Sequence, residues 1–281
     1  IVSINDNHKK SKNLWLKRAC MGSKKAENKA LEKLTNKIKI KPHIFKNFNT
    51  PVYSFLRLLF GQLFRSIFPA NFTGINNIPK KGPVIFASNH LSHVDPIFMI
   101  AGSRRKLHFL AKHEHFERFV TRFVVSSTGQ IKTVREEGGG DALSTASGIL
   151  ESGRCMGIFP EGTRSRNLQP PFLGKGKTGI ARLAASYPNV LIIPVVCEGT
   201  RNFMQPKKHK FPRFWRPVTF HFGKAITWKE WIYHEKGGNL NEEQIYELAD
   251  QDSEKQKEKL SELYRRFTDQ FMITLKNMGA A

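Results

Sequence analysis

The sequence predicts an α/β domain: a mixed, mostly parallel sheet flanked by helices, preceded by an N-terminal amphipathic helical segment. Three observations carry the prediction. Short apolar runs alternate with helical patterns from Phe72 to about Gly223, the order expected of strand–helix–strand units. Several runs are bounded by Gly or Pro, as buried strands are. Polar residues able to do chemistry fall just past the runs, where such a sheet gathers its ligands.

Length and charge frame the reading. A chain of 281 residues holds one sizeable catalytic domain with appendages. Its 46 Lys and Arg against 23 Asp and Glu give a net charge of +23, which attracts polyanions: nucleic acid, anionic lipid headgroups or phosphorylated substrates. Nucleic acid is not expected, because the aromatic residues concentrate in an apolar helix instead of interleaving with basic residues. Cys20, Cys155 and Cys197 are far apart, which argues for a reducing compartment without disulfides and without a metal site. The chain begins at Ile1 and its start carries no signal-peptide pattern.

Four segments follow in order. Residues 1–49 form a basic extension; Lys24 to Lys41 carry Leu31, Leu34, Ile38 and Ile40 at helical spacing, which reads as a basic amphipathic helix suited to an anionic membrane surface. Residues 50–72 hold an apolar helix over Pro51 to Phe68 whose polar positions, Ser54, Arg57, Gly61, Gln62, Arg65 and Ser66, form one narrow stripe. About 18 residues span roughly 27 Å, marginal for a bilayer, so an interfacial helix lying in the membrane plane is expected. Residues 73–235 are the α/β domain, and 236–281 a charged helical tail packing on its side.

Within the domain, Val84 to Ala87 is a strand, and a helix starts at Asp95-Pro96 with Asp95 as its cap. Lys106 to Leu110 is a strand, Glu114 to Ser127 a helix, and Gln130 to Val134 a strand. Gly138 to Gly140 is a loop before a helix capped by Asp141, and Cys155 to Phe159 a strand. A helix around Thr178 to Ser186 precedes strands Val190 to Val196 and Val218 to Phe222.

The chemistry centres on Ser88-Asn89-His90-Leu91-Ser92-His93-Val94-Asp95. On one continuous helix His90 and Asp95 would point in different directions, so the stretch must bend, folding Asp95 back toward the imidazole. Asp95 can then accept from one ring nitrogen and leave the other free to take a proton. His93 is the rival base, placed two residues before the cap where it faces solvent. Further along, Arg135 follows a strand, and Glu161, Gly162, Thr163 and Arg164 follow another. Gly174-Lys175-Gly176 leads into a helix start, a ready anion site. Together these read as a phosphate cradle beside a general base, with Arg135 and Arg164 able to make bidentate contacts and Glu161 orienting one of them or a substrate hydroxyl.

The His-x4-Asp spacing, Phe-Pro-Glu-Gly-Thr-Arg-Ser at 159–165, Arg135 after its strand, and Ile193-Pro194-Val195 resemble, in order, the four motif blocks of the glycerolipid acyltransferases typified by lysophosphatidic acid acyltransferase. The resemblance covers roughly residues 73 to 225. It implies that His90 deprotonates an acceptor hydroxyl, that Asp95 supports it, and that the Glu161 to Arg164 block binds the acceptor's phosphate. The second block departs from the usual form, with Val134-Arg135-Glu136 where an aspartate often precedes the arginine. The expected reaction moves an acyl group from acyl-CoA or acyl carrier protein to 1-acyl-sn-glycerol-3-phosphate, giving phosphatidic acid. It needs no cofactor and takes place at the cytoplasmic face of an anionic membrane. Glycerol 3-phosphate, another lysophospholipid or an amine-bearing lyso-lipid is the alternative acceptor.

Overall fold

The structure is a computed structural model and describes residues 29–43, 51–112, 131–133, 139–165, 167, 169–205, 208 and 211–281. Helix α1 covers residues 29–38 and α2 Pro51–Ser66. Seven strands follow among helices: β1 Ala70–Thr73, β2 Val84–Ser88, β3 Leu107–Lys112, β4 Ile131–Thr133, β5 Cys155–Ile158, β6 Leu191–Glu198 and β7 Val218–Phe222. The remaining helices of the described residues are α3 Asp95–Ser103, α4 Gly139–Glu151, α5 Gly179–Ser186, α6 Thr200–Phe203, α7 Trp228–Tyr233, α8 Glu242–Asp250 and α9 Ser253–Asn277.

The strand order is β1-β7-β6-β2-β5-β3-β4. Every pair is parallel except β6 with β7, so the sheet is mixed and mostly parallel, as expected from the alternation. β2 sits inside the sheet between β5 and β6, and all five of its residues are buried, because helices cover both faces. Its side chains alternate between two cores. Val84 and Phe86 join Phe98, Met99, Phe203 and Phe220 on the α3 side. Ile85 and Ala87 join Ile180, Leu183, Trp228 and Phe267 on the side of α5, α7 and α9. The tail packs on the domain as expected, burying Leu260, Leu263, Phe267, Phe271 and Leu275 of α9.

Several expectations shift. Asp95 is the first residue of α3 and Val94 its cap; the Asp95 side chain is drawn back to the preceding loop, so it caps no N–H of its own helix. α4 begins at Gly139, inside the predicted glycine loop, while Gly138 and the predicted helix Glu114 to Ser127 lie outside the described residues. β1 emerges from the end of the predicted helical segment. Helix α1 turns its apolar residues into the fold: Ala30, Leu31 and Leu34 are buried in the core, Lys33 pairs with Asp250 at 2.7 Å and, just after the helix, Lys39 with Glu151 at 3.3 Å. Its apolar face packs on protein.

Helix α2 turns part of the expected stripe inward: Gly61 is buried and Ser54 and Arg57 half-buried, whereas Gln62 and Ser66 are exposed. Tyr53 is fully buried, its hydroxyl donating to Leu107 O at 2.7 Å and accepting from Leu107 N at 2.9 Å; Arg57, one turn on, donates to Arg104 O at 2.8 Å. Phe55, Leu58 and Leu59 point to solvent. No helix among the described residues is long and apolar enough to cross a membrane.

Candidate active site

Register brings the two strongest motifs together. β2 and β5 are parallel neighbours with Ala87 opposite Ile158, so His90 and Glu161 each lie three residues past a paired position. The Glu161 carboxylate reaches across: Oε1 accepts from His90 N at 2.9 Å and Oε2 from Gly174 N at 2.8 Å. Ser165 N donates to His90 O at 3.0 Å. Both ends of the His90 backbone are therefore held by the loop of the other motif.

The side chain is held as firmly. His90 Nδ1 lies 2.8 Å from Asp95 Oδ2, and the ring stacks on Phe159 with centroids 3.8 Å apart and planes 12° from parallel. Asp95 is fully buried. Its Oδ2 also accepts from Leu91 N at 2.7 Å and Ser92 N at 2.8 Å, which fixes the bend the sequence required, close to the positive N-terminal end of α3. A carboxylate beside Nδ1 places the proton there, so Nε2 is the basic nitrogen. The His90 side chain is 16% exposed, enough to be reached and too little to be solvated freely.

Asn89 is a positioning residue that the sequence did not single out. Buried, it accepts from Cys197 N at 2.8 Å and donates to Cys197 O at 3.0 Å, tying the exit of β2 to β6. Ser92 adds a bond from Oγ to Met204 O at 2.6 Å.

The phosphate cradle is partly revised. Glu161 was expected to orient a cation or substrate hydroxyl; it is 94% buried with both oxygens on backbone N–H groups, so it shapes the site instead of touching substrate. Gly162 adopts φ 68°, a conformation that favours glycine, and its N–H closes the turn onto Phe159 O at 2.9 Å. Thr163 is exposed. Arg164 meets the ring of His93 through Nη1, which sets His93 beside the 159–165 turn. Lys175 is exposed. The cation shown beside the turn is Lys177, whose Cε and Nζ lie 3.0 Å from where a Cβ on Gly162 would stand. Arg135 lies outside the described residues. Arg201, over the ring of Phe172 at 4.7 Å, donates to Ser165 O at 3.4 Å and braces the loop.

Burial pushes the Glu161 carboxyl above the usual carboxylate value; the N–H bonds from Gly174 and His90 oppose this without cancelling it. A raised folded-state value means that Glu161 contributes stability that is full below the unfolded-state value, about 4.3, and is lost as pH rises through the raised value. Thermal melts of wild type and Glu161→Gln should show the wild type losing ground to the variant as pH increases from about 4. A pH-independent difference would contradict this.

The two described cysteines offer no nucleophile. Cys197 is fully buried and burial pushes its thiol well above the ordinary value; burial raises Cys155 as well. No group of three or more metal-ligating side chains occurs among the described residues.

The family model described as Acyltransferase matches residues 69–198, from the residue before β1 to the end of β6. The matched span contains the His90–Asp95 pair, the Glu161 turn and Asn89 with its β6 partner. A 1-acyl-sn-glycerol-3-phosphate acyltransferase of Borreliella burgdorferi is 33% identical over 133 residues, covering 47% of this chain and 52% of that one. A chloroplastic 1-acyl-sn-glycerol-3-phosphate acyltransferase of Arabidopsis thaliana is 27% identical, covering 57% and 45%. The crystal structure of a 1-acyl-sn-glycerophosphate acyltransferase from Thermotoga maritima is 23% identical with a TM-score of 0.48, covering 76% of this chain and 80% of that one. The chain spans about half the length of the curated relatives it matches.

Proposed function

We propose that the acyltransferase domain moves an acyl group from a thioester, acyl-CoA or acyl carrier protein, to the free hydroxyl of 1-acyl-sn-glycerol-3-phosphate, giving phosphatidic acid. The observation that supports it most is the His90–Asp95 pair, held from both sides at the C-terminal end of β2, beside a glycine turn flanked by Arg164 and Lys177. The curated names of the relatives point to the same acceptor.

In this reading His90 Nε2 takes the proton of the acceptor hydroxyl as its oxygen attacks the thioester carbonyl. The imidazolium is supported through Nδ1 by Asp95. Collapse of the tetrahedral intermediate breaks the carbon–sulfur bond, and the leaving thiolate takes the proton from His90. The hydroxyl is itself the nucleophile, so no acyl-enzyme and no cofactor is needed. Arg164, Lys177 and the backbone around Gly162 hold the acceptor's phosphate. Arg164→Ala should raise the KM for the acceptor about tenfold or more, the scale of one charge-assisted contact, with a smaller change in kcat; an unchanged KM would remove Arg164 from the phosphate site.

The domain works at an anionic membrane surface. Two exposed apolar segments adjoin: the outer face of α2, with Phe55 62% exposed, and the 211–216 loop, with Phe211 80% and Trp215 70% exposed. Phe68, just after α2, stacks on Phe214 of the loop at 5.3 Å and joins them. Exposed aromatic side chains flanked by Lys208, Arg213 and Arg216 suit a lipid interface. The Phe211→Ser/Trp215→Ser protein should bind vesicles containing phosphatidylglycerol at least about tenfold more weakly, since each side chain stands to bury about 1.5–3 kcal/mol of apolar surface, and should keep its activity on detergent-dispersed acceptor. Unchanged vesicle binding would exclude the loop from the membrane contact.

A further inference from the structure

A second basic site lies on the opposite edge of the sheet. Between α2, the α3–β3 connection and the α4–β5 connection is a pocket lined by Arg57, Arg104, Arg105, Lys106, His108, Gly153, Arg154 and Cys155. Leu107 and Cys155 begin β3 and β5, whereas His90 follows the end of β2; five residues of strand, roughly 16 Å at 3.3 Å each, separate the two edges. Five cations converge here, and no carboxylate lines the pocket among the described residues.

Backbone carbonyls hold two of the arginines, and Lys106 lies over the Tyr53 ring at 5.8 Å. Arg57 donates to Arg104 O, and Arg105 to Pro79 O and Gly82 O. None of Arg57, Arg104, Arg105 and Arg154 has an ion pair among the described residues. Among the described residues Arg57 Nε is buried without a hydrogen-bond partner, a costly state for a guanidinium N–H. Burial first, and then the charges of Arg57 and Arg154, hold the Lys106 ammonium below its ordinary value. Like charges gathered in a half-enclosed pocket repel one another, and an anion with several acceptor oxygens removes the repulsion while satisfying forked N–H donors.

We propose that this pocket binds a phosphate group, carried by a phospholipid headgroup or by a soluble phosphate ester. Its position at the N-terminal end of α2, whose Phe55, Leu58 and Leu59 face outward, gives a headgroup access from the membrane surface. The proposal rests on charge and geometry and stands whether or not the acyl-transfer reading does.

The test melts the full chain against inorganic phosphate, with ionic strength held constant by sodium chloride. Wild type should show a saturable rise in Tm. Arg104→Glu/Arg154→Glu should lose at least about tenfold in apparent phosphate affinity. Lys257→Glu/Arg266→Glu, an equal change of charge on exposed positions of α9, should respond as wild type. Equal responses from the two pairs would overturn the proposal. Without phosphate, Arg154→Gln should melt at or above wild type because repulsion is relieved; a drop of several degrees would make Arg154 a structural brace and also overturn it. Vesicles of phosphatidylcholine with and without phosphatidylglycerol identify the source. A loss of phosphatidylglycerol binding specific to the pocket pair supports a lipid headgroup. A loss confined to inorganic phosphate supports a soluble ester.

Discussion

His90→Ala is expected to lower acyl transfer by about 10²- to 10⁴-fold, the usual contribution of a general base, while the chain stays folded. The ring stacks on Phe159 and meets Asp95 at Nδ1, and with its side chain 16% exposed it stands at the margin of the core and belongs to neither hydrophobic cluster. After its removal, Asp95 Oδ2 keeps the N–H groups of Leu91 and Ser92. The backbone of residue 90 remains held by Glu161 and Ser165, because those bonds do not involve the side chain. Steady-state transfer with labelled acyl-CoA, beside a thermal melt of the same preparation, separates lost chemistry from lost structure.

Asp95→Asn should reduce kcat by a comparable factor, about 10²- to 10⁴-fold, for a different reason. The amide oxygen can still accept from Leu91 N and Ser92 N, so the bend survives. A neutral amide, however, no longer stabilises the imidazolium that forms as the hydroxyl is deprotonated, and its NH2 takes the place of Oδ1, which is buried without a hydrogen-bond partner among the described residues. The KM for acceptor should change little, because Asp95 is fully buried and touches no substrate. Asp95→Ala would instead leave two buried N–H groups unpaired at about 1–3 kcal/mol each and is the less informative variant. Near-normal kcat in the Asn variant would contradict the support assigned to Asp95.

The strands and the His90–Asp95 pair were legible because they are local. A compact apolar run predicts β2, and a base and acid five positions apart beside Pro96 predict the bend. What escaped depends on distant partners. Glu161 reads as a ligand-binding acid until β2 and β5 are set in register; only then does its carboxylate face His90 N, 71 residues away in sequence. Asn89 finds Cys197 across 108 residues, and a lone Asn in a loop carries no sign of it. Lys177 and Lys175 are indistinguishable until the turn at Gly162 places one of them. Helix α1 has the pattern of a membrane-surface helix because amphipathicity records that an apolar face will be covered, not by what; here Asp250 and Glu151 supply the partners for Lys33 and Lys39. The antiparallel β7 was equally hidden, since Val218 to Phe222 reads the same in either direction.

The measurement closest to the central claim is a panel of acceptors incubated with labelled acyl-CoA and the full chain on vesicles. The panel holds 1-acyl-sn-glycerol-3-phosphate, glycerol 3-phosphate, a neutral lysophospholipid and an amine-bearing lyso-lipid. The expected result is labelled phosphatidic acid from 1-acyl-sn-glycerol-3-phosphate at the highest kcat/KM, abolished in His90→Ala. Preferential labelling of another acceptor, or labelling that survives His90→Ala, would contradict it.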